Sequence, residues 1–328
     1  MSATLARVVT ADAPGKVNLI LRVTGLDAQT GYHELLTVFH CLNLREVVRL
    51  SVRADEKVTV QTVPGPSFAG ALPSGLDGPD NLAVRAVQSL RHYAQDQGKD
   101  APGIDIHITK NIPVAGGMAG GSADACAALV AANELLGLNM NREELARFGV
   151  SIGADVPYGL WGEQSLGVGF GNDIRPLDAG PTRHWVFLSS SRGLSTPVVF
   201  GEYDRLELHN GFNEQRRSLE DKVLGALRGD NPILEVIEND LQAPALRLRP
   251  ELEDVIAAAK EAGAVSAFVS GSGPTIAALC ESEAAAKDLA ATVASHPEVC
   301  EAIVATGPSG PARILAVDNE APSERERT

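Results

Sequence analysis

The chain has 328 residues, 44% of them hydrophobic and 4% aromatic, and its formal net charge is −14. The length predicts two domains, and the acidic balance makes nucleic acids and anionic membranes unfavourable partners. The N-terminus lacks the apolar core of a signal peptide, and no stretch is long and apolar enough for a transmembrane helix, so we expect a cytoplasmic protein. The four cysteines are scattered, which favours free thiols over a metal site or a disulfide framework.

The first predicted strand covers residues 8–21 and passes a Pro-Gly pair. Side chains alternate along a strand, so Lys16 and Asn18 lie on one side of it. This pair could bind a charged substrate, or it could be an ordinary solvated strand face. Because the whole chain is acidic, an anionic substrate would need a local basic pocket, for which Lys16 and Lys110 are the candidates.

A loop over residues 24–33 follows, and Tyr32 and His33 stand at its end. They could stack on a heterocyclic ring and hydrogen-bond to it, or they could only pack against the protein. After an apolar segment at 35–44, the pattern predicts strands at 46–53 and 57–61, a loop at 64–79 and an amphipathic helix at 81–97. Asp80 is the predicted N-cap of this helix.

The glycine-rich stretch at residues 113–124 reads PVAGGMAGGSAD. It lies between a predicted strand at 104–109 and a helix that runs from Ser122 to Gly137. In a strand–loop–helix unit, backbone N–H groups and the positive end of the helix dipole can surround a phosphate. The stretch contains neither the P-loop pattern nor a G-x-G-x-x-G fingerprint. It could also be a turn that only lets the helix pack on the sheet.

A further helix is predicted at residues 141–151, with Asn141 as its cap and Glu144 three residues later. Asp155 follows between apolar residues, just before a Val-Pro pair. A carboxylate in such surroundings is paired, protonated or functional, so a structural role and a catalytic role both stay open.

The second half of the chain predicts another α/β layer, which begins after a glycine-rich hairpin at 162–176. Its predicted elements are strands at 184–190, 264–270 and 302–306, an apolar segment at 275–279, helices at 250–262 and 282–294, and helical stretches up to Leu227 and at 231–241. We place the domain boundary at the hairpin, with domains at residues 1–164 and 165–317. We expect residues 318–328 to be disordered, because they are charged and lack large apolar side chains.

Several separated motifs together resemble those of the GHMP small-molecule kinases in order and spacing. They are Pro14-Gly15-Lys16-Val17-Asn18, Gly31-Tyr32-His33, residues 113–124, Gly153-Ala154-Asp155-Val156-Pro157, Thr196-Pro197-Val198-Val199-Phe200, Asn239-Asp240-Leu241 and Ser270-Gly271-Ser272-Gly273-Pro274. The resemblance covers about residues 8–307. It implies an α/β (α+β) fold of two domains, the first of the ribosomal-S5 type and the second ferredoxin-like, with the active site between them.

The resemblance also implies a function: phosphorylation, by ATP and with Mg²⁺, of the 2-hydroxyl of a CDP-linked methylerythritol in non-mevalonate isoprenoid biosynthesis. It implies a catalytic pair, Lys16 and Asp155. It implies ATP contacts from Lys110, Pro113, Val114, Ala115, Gly116, Gly117, Met118, Ala119, Gly120, Gly121, Ser122 and Ala123. It implies substrate contacts from Asn18, Tyr32, His33, Thr196 and Phe200, with Tyr32 and Phe200 on either side of the cytosine ring. No residue is assigned as a metal ligand, and we expect a monomer or a homodimer.

Two positions depart from the family pattern. Ala119 replaces a glycine, so this position must accept a more restricted backbone, and Ala123 replaces a serine, so Ser122 is the hydroxyl left there. Two alternatives stay open. Another GHMP kinase, of the mevalonate or homoserine type, should lack the Tyr, His and Phe around the base. A noncatalytic nucleotide-binding regulator should lose Lys16 or Asp155, and both are present.

Overall fold

The computed structural model describes residues 6–29, 31–68, 72–171, 173–208, 219, 221–230 and 233–320. Within these ranges the strands are β1 (Ala6–Leu26), β2 (His33–Val52), β3 (Val58–Pro64), β4 (Ile104–Lys110), β5 (Gln164–Gly169), β6 (Asp173–Leu177), β7 (Arg183–Ser189), β8 (Glu238–Asn239), β9 (Ser266–Val269), β10 (Ile276–Cys280), β11 (Glu301–Gly307) and β12 (Arg313–Glu320). The helices are α1 (Leu82–Asp96), α2 (Gly120–Leu135), α3 (Arg142–Ile152), α4 (Tyr158–Trp161), α5 (Thr196–Arg205), α6 (Asp221–Arg228), α7 (Gln242–Leu248), α8 (Leu252–Glu261) and α9 (Glu283–Val293).

The larger sheet is built around two long antiparallel strands, β1 and β2. Its strand order is β12-β1-β2-β4-β3, with β5 and β6 joined to β2 and the short β8 joined to β1. Helices α1 and α2 pack against this sheet and against each other. The alanines of α2, among them Ala125, Ala128 and Ala132, are fully buried, since small side chains let the helix lie close to the strands.

The smaller sheet has the order β11-β7-β10-β9, and all of its pairs are antiparallel. Helices α8 and α9 pack against it. Along the chain, β7, α8, β9, β10, α9 and β11 form the β-α-β-β-α-β arrangement of ferredoxin-like folds. The predicted α/β class and ferredoxin-like second layer are therefore confirmed. Among the described residues, no helix combines the length and the apolar character needed to cross a membrane.

The end of the described chain returns to the sheet in which the chain starts, because β12 pairs with β1. The sequence did not predict this strand. Residues 318–320, which we expected to be disordered, are the end of β12, while 321–328 lie outside the described residues. The division between residues 164 and 165 stays a prediction, and β5, β6 and β12 belong to the larger sheet although they follow or border that point.

The predicted strand at 46–53 is confirmed to Val52 and is the second half of β2, which runs unbroken from His33. Two other local predictions were wrong. The side chain that caps α1 is Asn81, which accepts a hydrogen bond from the N–H of Ala83, and not that of Asp80. Of the helical stretch predicted at 231–241, the described residues 233–241 are largely not helical: they contain a 3₁₀ turn at Ile233–Glu235 and then β8, whose pairing with β1 overrides the helical pattern. The predicted capping box of Asn141 and Glu144 is confirmed.

Candidate active site

A cavity of about 310 Å³ lies where the two sheets meet the glycine-rich loop. Its lining includes many of the residues that the sequence proposed: Lys16, Asn18, Pro113, Ala115, Gly116, Gly117, Ala119, Gly120, Gly121, Ser122, Asp155, Thr196 and Phe200. Segments from both halves of the chain therefore converge on one site. Met118 and Ala123 belong to the same loop but are buried in the core beneath it.

Lys16 is buried on β1, with 4% of its surface exposed. Its Nζ donates to Asn18 Oδ1 at 2.6 Å and to the carbonyl oxygen of Gly117 at 2.9 Å, and it lies 3.9 Å from Asp155 Oδ2. Lys16 and Asn18 thus do share one strand face, which is buried and not solvated. Burial lowers the pKa of Lys16, and the nearby charge of Asp155 opposes that shift.

Asp155 stands in the turn between α3 and α4. The turn is closed by a hydrogen bond from the N–H of Val156 to the carbonyl of Gly153. The carboxylate of Asp155 keeps 40% of its surface exposed, faces the cavity and contacts Lys16 only loosely. A buried structural ion pair would be closer and more enclosed. The geometry therefore favours a group that meets a ligand over one that only supports the fold.

The glycine-rich loop makes three left-handed turns of the backbone, at Ala115, Gly117 and Ala119 (φ of 53°, 74° and 56°). A Cβ on Gly117 would stand 2.0 Å from the carbonyl oxygen of Ser270. Helix α2 begins at Gly120, two residues before the predicted start, and Ala119 is its N-cap without a capping side chain. The first N–H groups of a helix have no partner inside it, so they can bind an anion.

Lys110, which the sequence assigned to ATP, lies in a buried ionic cluster below this loop. Its Nζ is 2.7 Å from Glu46 Oε1 and 2.5 Å from Asp124 Oδ2. Glu46 also accepts hydrogen bonds from the backbone N–H groups of Asn111 and Ile112, at the start of the loop. Burial and the charge of Asp124 raise the pKa of Glu46 to about 8. The cluster supports the loop from below, and Lys110 is not directed at the cavity that Lys16 lines.

A second cavity, of about 300 Å³, adjoins the first on the far side of the loop. Leu82, Ala115 and Gly121 line both cavities. Lys110 and Val114 line the second cavity, together with Asn81 and Asp124, which the sequence did not propose. The sequence did not assign the start of α1 to the site, because no local sequence pattern indicates that the N-termini of α1 and α2 lie side by side.

The aromatic residues that the sequence assigned to the substrate lie at the other end of the first cavity. Tyr32 is 70% exposed and makes an edge contact with Phe170, with ring centroids 6.2 Å apart. His33 stacks on Phe200, with centroids 4.8 Å apart and planes 22° apart. His33 therefore lies against Phe200, and the placing of Tyr32 and Phe200 on either side of a bound ring stays a prediction.

A second glycine turn, residues 271–274, reaches the loop from the smaller sheet. The hydroxyl of Ser270 donates to the carbonyl oxygen of Gly117 at 3.2 Å, and that carbonyl also accepts from Lys16. Thr196, a predicted substrate contact, shares a 2.8 Å hydrogen bond with Ser272. The sequence noted this turn as a motif but did not show that it contacts the first loop, since the two are separated by about 150 residues.

The cysteines agree with the expectation of free thiols. Cys41, Cys126 and Cys280 are buried and Cys300 is exposed, all of them free. Over the part of the chain that the structure describes, no group of three or more His, Cys, Asp or Glu side chains could hold a metal ion.

Comparison with known proteins identifies the family of the chain. Residues 81–163 match the N-terminal domain of GHMP kinases, and residues 224–299 match their C-terminal domain. The chain is 43% identical to the 4-diphosphocytidyl-2-C-methyl-D-erythritol kinase of Cutibacterium acnes, over 94% of this chain and 97% of that protein. The enzyme of the same name from Streptomyces coelicolor is also 43% identical, over 94% of this chain and 99% of that protein.

Solved structures give the same result. A crystal structure of 4-(cytidine 5'-diphospho)-2C-methyl-D-erythritol kinase superposes with a TM-score of 0.70 at 28% identity, over 92% of this chain and all of that one. The mevalonate kinase of L. major superposes with a TM-score of 0.67 at 18% identity, over 92% of this chain and 96% of that one, which shows a shared fold alone.

A chain with this fold and this loop is a GHMP kinase, an ATP-dependent small-molecule kinase. Its sequence identity of 43% with two curated relatives, over nearly their whole length, places it in one particular family of GHMP kinases. The chain belongs to the 4-diphosphocytidyl-2-C-methyl-D-erythritol kinase family.

Proposed function

We propose that the chain transfers the γ-phosphoryl group of ATP to the 2-hydroxyl of 4-diphosphocytidyl-2-C-methyl-D-erythritol, a step in non-mevalonate isoprenoid precursor biosynthesis. The single observation that carries the proposal is the meeting of Lys16, Asp155 and the Gly117 carbonyl in one cavity lined by residues 115–122. The names of relatives that match the chain almost end to end support the choice of substrate.

ATP would occupy both cavities, with its phosphates on the glycine-rich loop between them. The left-handed turns of the loop and the N-terminus of α2 direct backbone N–H groups toward an anion. The second cavity, beside Asn81 and Lys110, then receives the nucleoside. Binding of the phosphates by backbone dipoles explains how a chain with net charge −14 can hold a polyanion.

The acceptor alcohol would lie beside Asp155, in the part of the first cavity bordered by Lys16 and Asn18. Phosphoryl transfer depends mainly on alignment and on stabilisation of charge. Asp155 Oδ2 accepts the proton of the hydroxyl as the new bond to phosphorus forms, and the bond to the leaving ADP oxygen breaks. Lys16 Nζ lies 3.9 Å from Asp155 Oδ2, so its positive charge can offset negative charge at the reacting centre.

Asn18 fixes the direction of the Lys16 ammonium. Its Oδ1 accepts from Lys16 Nζ, while its Nδ2 donates to the hydroxyl of Thr37 at 2.7 Å. Thr37 in turn donates to the carbonyl of Ile20 at 2.8 Å. This buried chain of hydrogen bonds ties the ammonium to two strands, so its position does not depend on the ligand.

Mg²⁺ fits the residues that are present. The cation is usually held by phosphate oxygens, water and one or two carboxylates. Ser122 and Asp155 are the cavity residues that would reach it. When bound, it would neutralise charge on the β- and γ-phosphates.

The substrate end of the cavity carries Thr196 and Phe200, with His33 stacked on Phe200 and Tyr32 at the surface nearby. We assign these residues to the cytidine diphosphate part of the acceptor. Tyr32 also makes an edge contact with Phe170, and in the proposed complex it faces Phe200 across the base.

An ADP-release assay with three acceptors tests the proposal: the CDP-linked methylerythritol, mevalonate and homoserine. We expect turnover with the first alone, and phosphorus NMR of the product should show a new phosphate monoester at the 2-position. Turnover with mevalonate or homoserine only would assign the chain to another GHMP specificity. Nucleotide binding without turnover of any acceptor would instead support a regulator.

A further inference from the structure

His33 is enclosed by one face of helix α5. Phe200, Tyr203 and Asp204 are spaced i, i+3 and i+4 on that helix, so their side chains lie together. The His33 ring stacks on Phe200 and meets Tyr203 edge-on with centroids 5.7 Å apart, and its Nε2 lies 2.7 Å from Asp204 Oδ1. Phe200 lines the catalytic cavity, whereas Asp204 does not.

The contact with Asp204 determines which ring nitrogen of His33 carries a proton and how the ring is oriented. A carboxylate oxygen can only accept, so Nε2 of His33 carries a proton and donates it. Because the same ring is also stacked on Phe200, turning it would break both contacts. The pair joins residues that are 171 positions apart, one at the start of β2 and one on α5. It therefore links the two walls of the substrate end.

Fold stability is a weak reason for this contact. The Asp204 side chain is 47% exposed, and half-exposed ion pairs add little to stability. The His33 side chain is only 7% exposed, so the ring that Asp204 contacts is enclosed against Phe200, which lines the cavity. The contact between His33 and Asp204 adds little to fold stability, and His33 lies beside the cavity. The contact therefore points to a role in substrate recognition.

We propose that Asp204 is a positioning residue for recognition of the pyrimidine ring of the substrate. It holds the imidazole of His33 on Phe200, so that these two side chains meet the base in one fixed arrangement. Asp204 does not touch the substrate, and it acts only through His33. The inference rests on the proposed function, because it needs a base to be bound at this end of the cavity.

Steady-state kinetics of Asp204→Ala and Asp204→Asn test the proposal. We expect KM for the CDP-linked acceptor to rise about tenfold in Asp204→Ala, the usual loss for one charge-assisted hydrogen bond. The rise should be smaller in Asp204→Asn, whose amide oxygen can still accept from Nε2. Both kcat and KM for ATP should stay within about twofold, since the reacting groups are untouched.

Asp55→Ala is the matched control. Asp55 also pairs with a basic side chain, that of Arg53, is 42% exposed and lines neither cavity. Its loss should leave both KM values unchanged. The melting temperatures of Asp204→Ala and wild type should agree within about 2 °C, which separates a recognition defect from a folding defect.

The double variant His33→Ala/Asp204→Ala decides whether Asp204 acts through His33. If it does, the double variant should have the KM of His33→Ala, because the second change has nothing left to act on. An unchanged or lower KM in Asp204→Ala would overturn the inference, as would a further tenfold rise in the double variant. In either case, activity of the wild type with the CDP-linked acceptor leaves the proposed function standing. If the wild type were inactive with that acceptor, the proposed function and the inference on Asp204 would both be wrong.

Discussion

The two ends of the catalytic cavity are built in different ways. At the phosphate end, Lys16 is almost fully buried, and the carbonyl of Gly117 accepts hydrogen bonds from Lys16 on β1 and from Ser270 beside β9. At the base end, Tyr32 is largely exposed, and His33 stacks on Phe200 and contacts the half-exposed Asp204. The phosphate end is therefore fixed by buried polar contacts from both sheets, whereas the base end is formed by aromatic side chains near the surface.

Because of this difference, we expect changes at the two ends of the cavity to affect different kinetic constants. Groups that are held rigidly before the substrate arrives can stabilise the transition state without reorganising. Side chains that contact the base, away from the reacting atoms, contribute mainly to affinity for the acceptor. Variants at the phosphate end should therefore lower kcat, and variants at the base end should raise KM for the acceptor.

The largest effect is expected for Asp155→Asn. The amide cannot accept the proton of the hydroxyl, and loss of a positioned base lowers the rate by about 10²- to 10⁴-fold. ATP affinity, measured by calorimetric titration, should change little because the loop is intact. A variant with nearly wild-type kcat would remove Asp155 from the chemistry.

Gly117→Ala should reduce kcat by about 10²-fold, the scale of effect of a 1 Å misplacement in a reacting group. A Cβ at this position would overlap the carbonyl oxygen of Ser270 and displace the carbonyl that Lys16 contacts. Gly137→Ala is the control, since Gly137 has a similar φ of +59° but open space around it. Equal activity of the two variants would show that the fit of the loop against the second turn is unimportant.

Phe200→Ala should raise KM for the acceptor about 10- to 100-fold, the usual contribution of one aromatic–base contact. Its kcat at saturating acceptor should stay close to that of the wild type. Phe148→Ala, which removes another paired aromatic ring away from the cavity, should lower stability without changing this KM. A fall in kcat of Phe200→Ala with an unchanged KM would contradict the assignment of the base end.

Ala119→Gly should give the smallest change, a rise of less than about 1 kcal/mol in the free energy of unfolding. Ala119 adopts φ of 56° and ψ of 34°, which is unfavourable for alanine but not for glycine. The greater freedom of glycine in the unfolded chain offsets part of the gain. Ala125→Gly, inside α2, should lower stability instead, and urea unfolding can compare the two variants. A loss of stability in Ala119→Gly would show that the loop is not strained there.

Local patterns predicted much of this site. The period of a strand placed Lys16 and Asn18 on one side, and their side chains are hydrogen-bonded. The strand–glycine–helix order identified the loop, and the motif order identified the fold class. Ala119 was recognised as a position of restricted backbone, and it is in fact left-handed.

The parts that the sequence did not reveal depend on contacts between distant segments. The ion pair of Lys110 with Glu46 joins residues 64 positions apart, and no local pattern indicates this charge cluster, whereas the assignment of Lys110 to ATP stays a prediction. Pairing of β12 with β1 joins the two ends of the described chain. The orientation of Tyr32 depends on its neighbour Phe170, which no periodic pattern could indicate.

The most direct test of the central claim is the single-turnover rate of phosphoryl transfer in Lys16→Met, Asp155→Asn and the double variant. If the ammonium and the carboxylate act as one unit on the acceptor, the double variant should be about as slow as the slower single variant. If instead the two losses multiply, Lys16 and Asp155 act independently, and the account of a catalytic pair at the mouth of the glycine-rich loop is wrong.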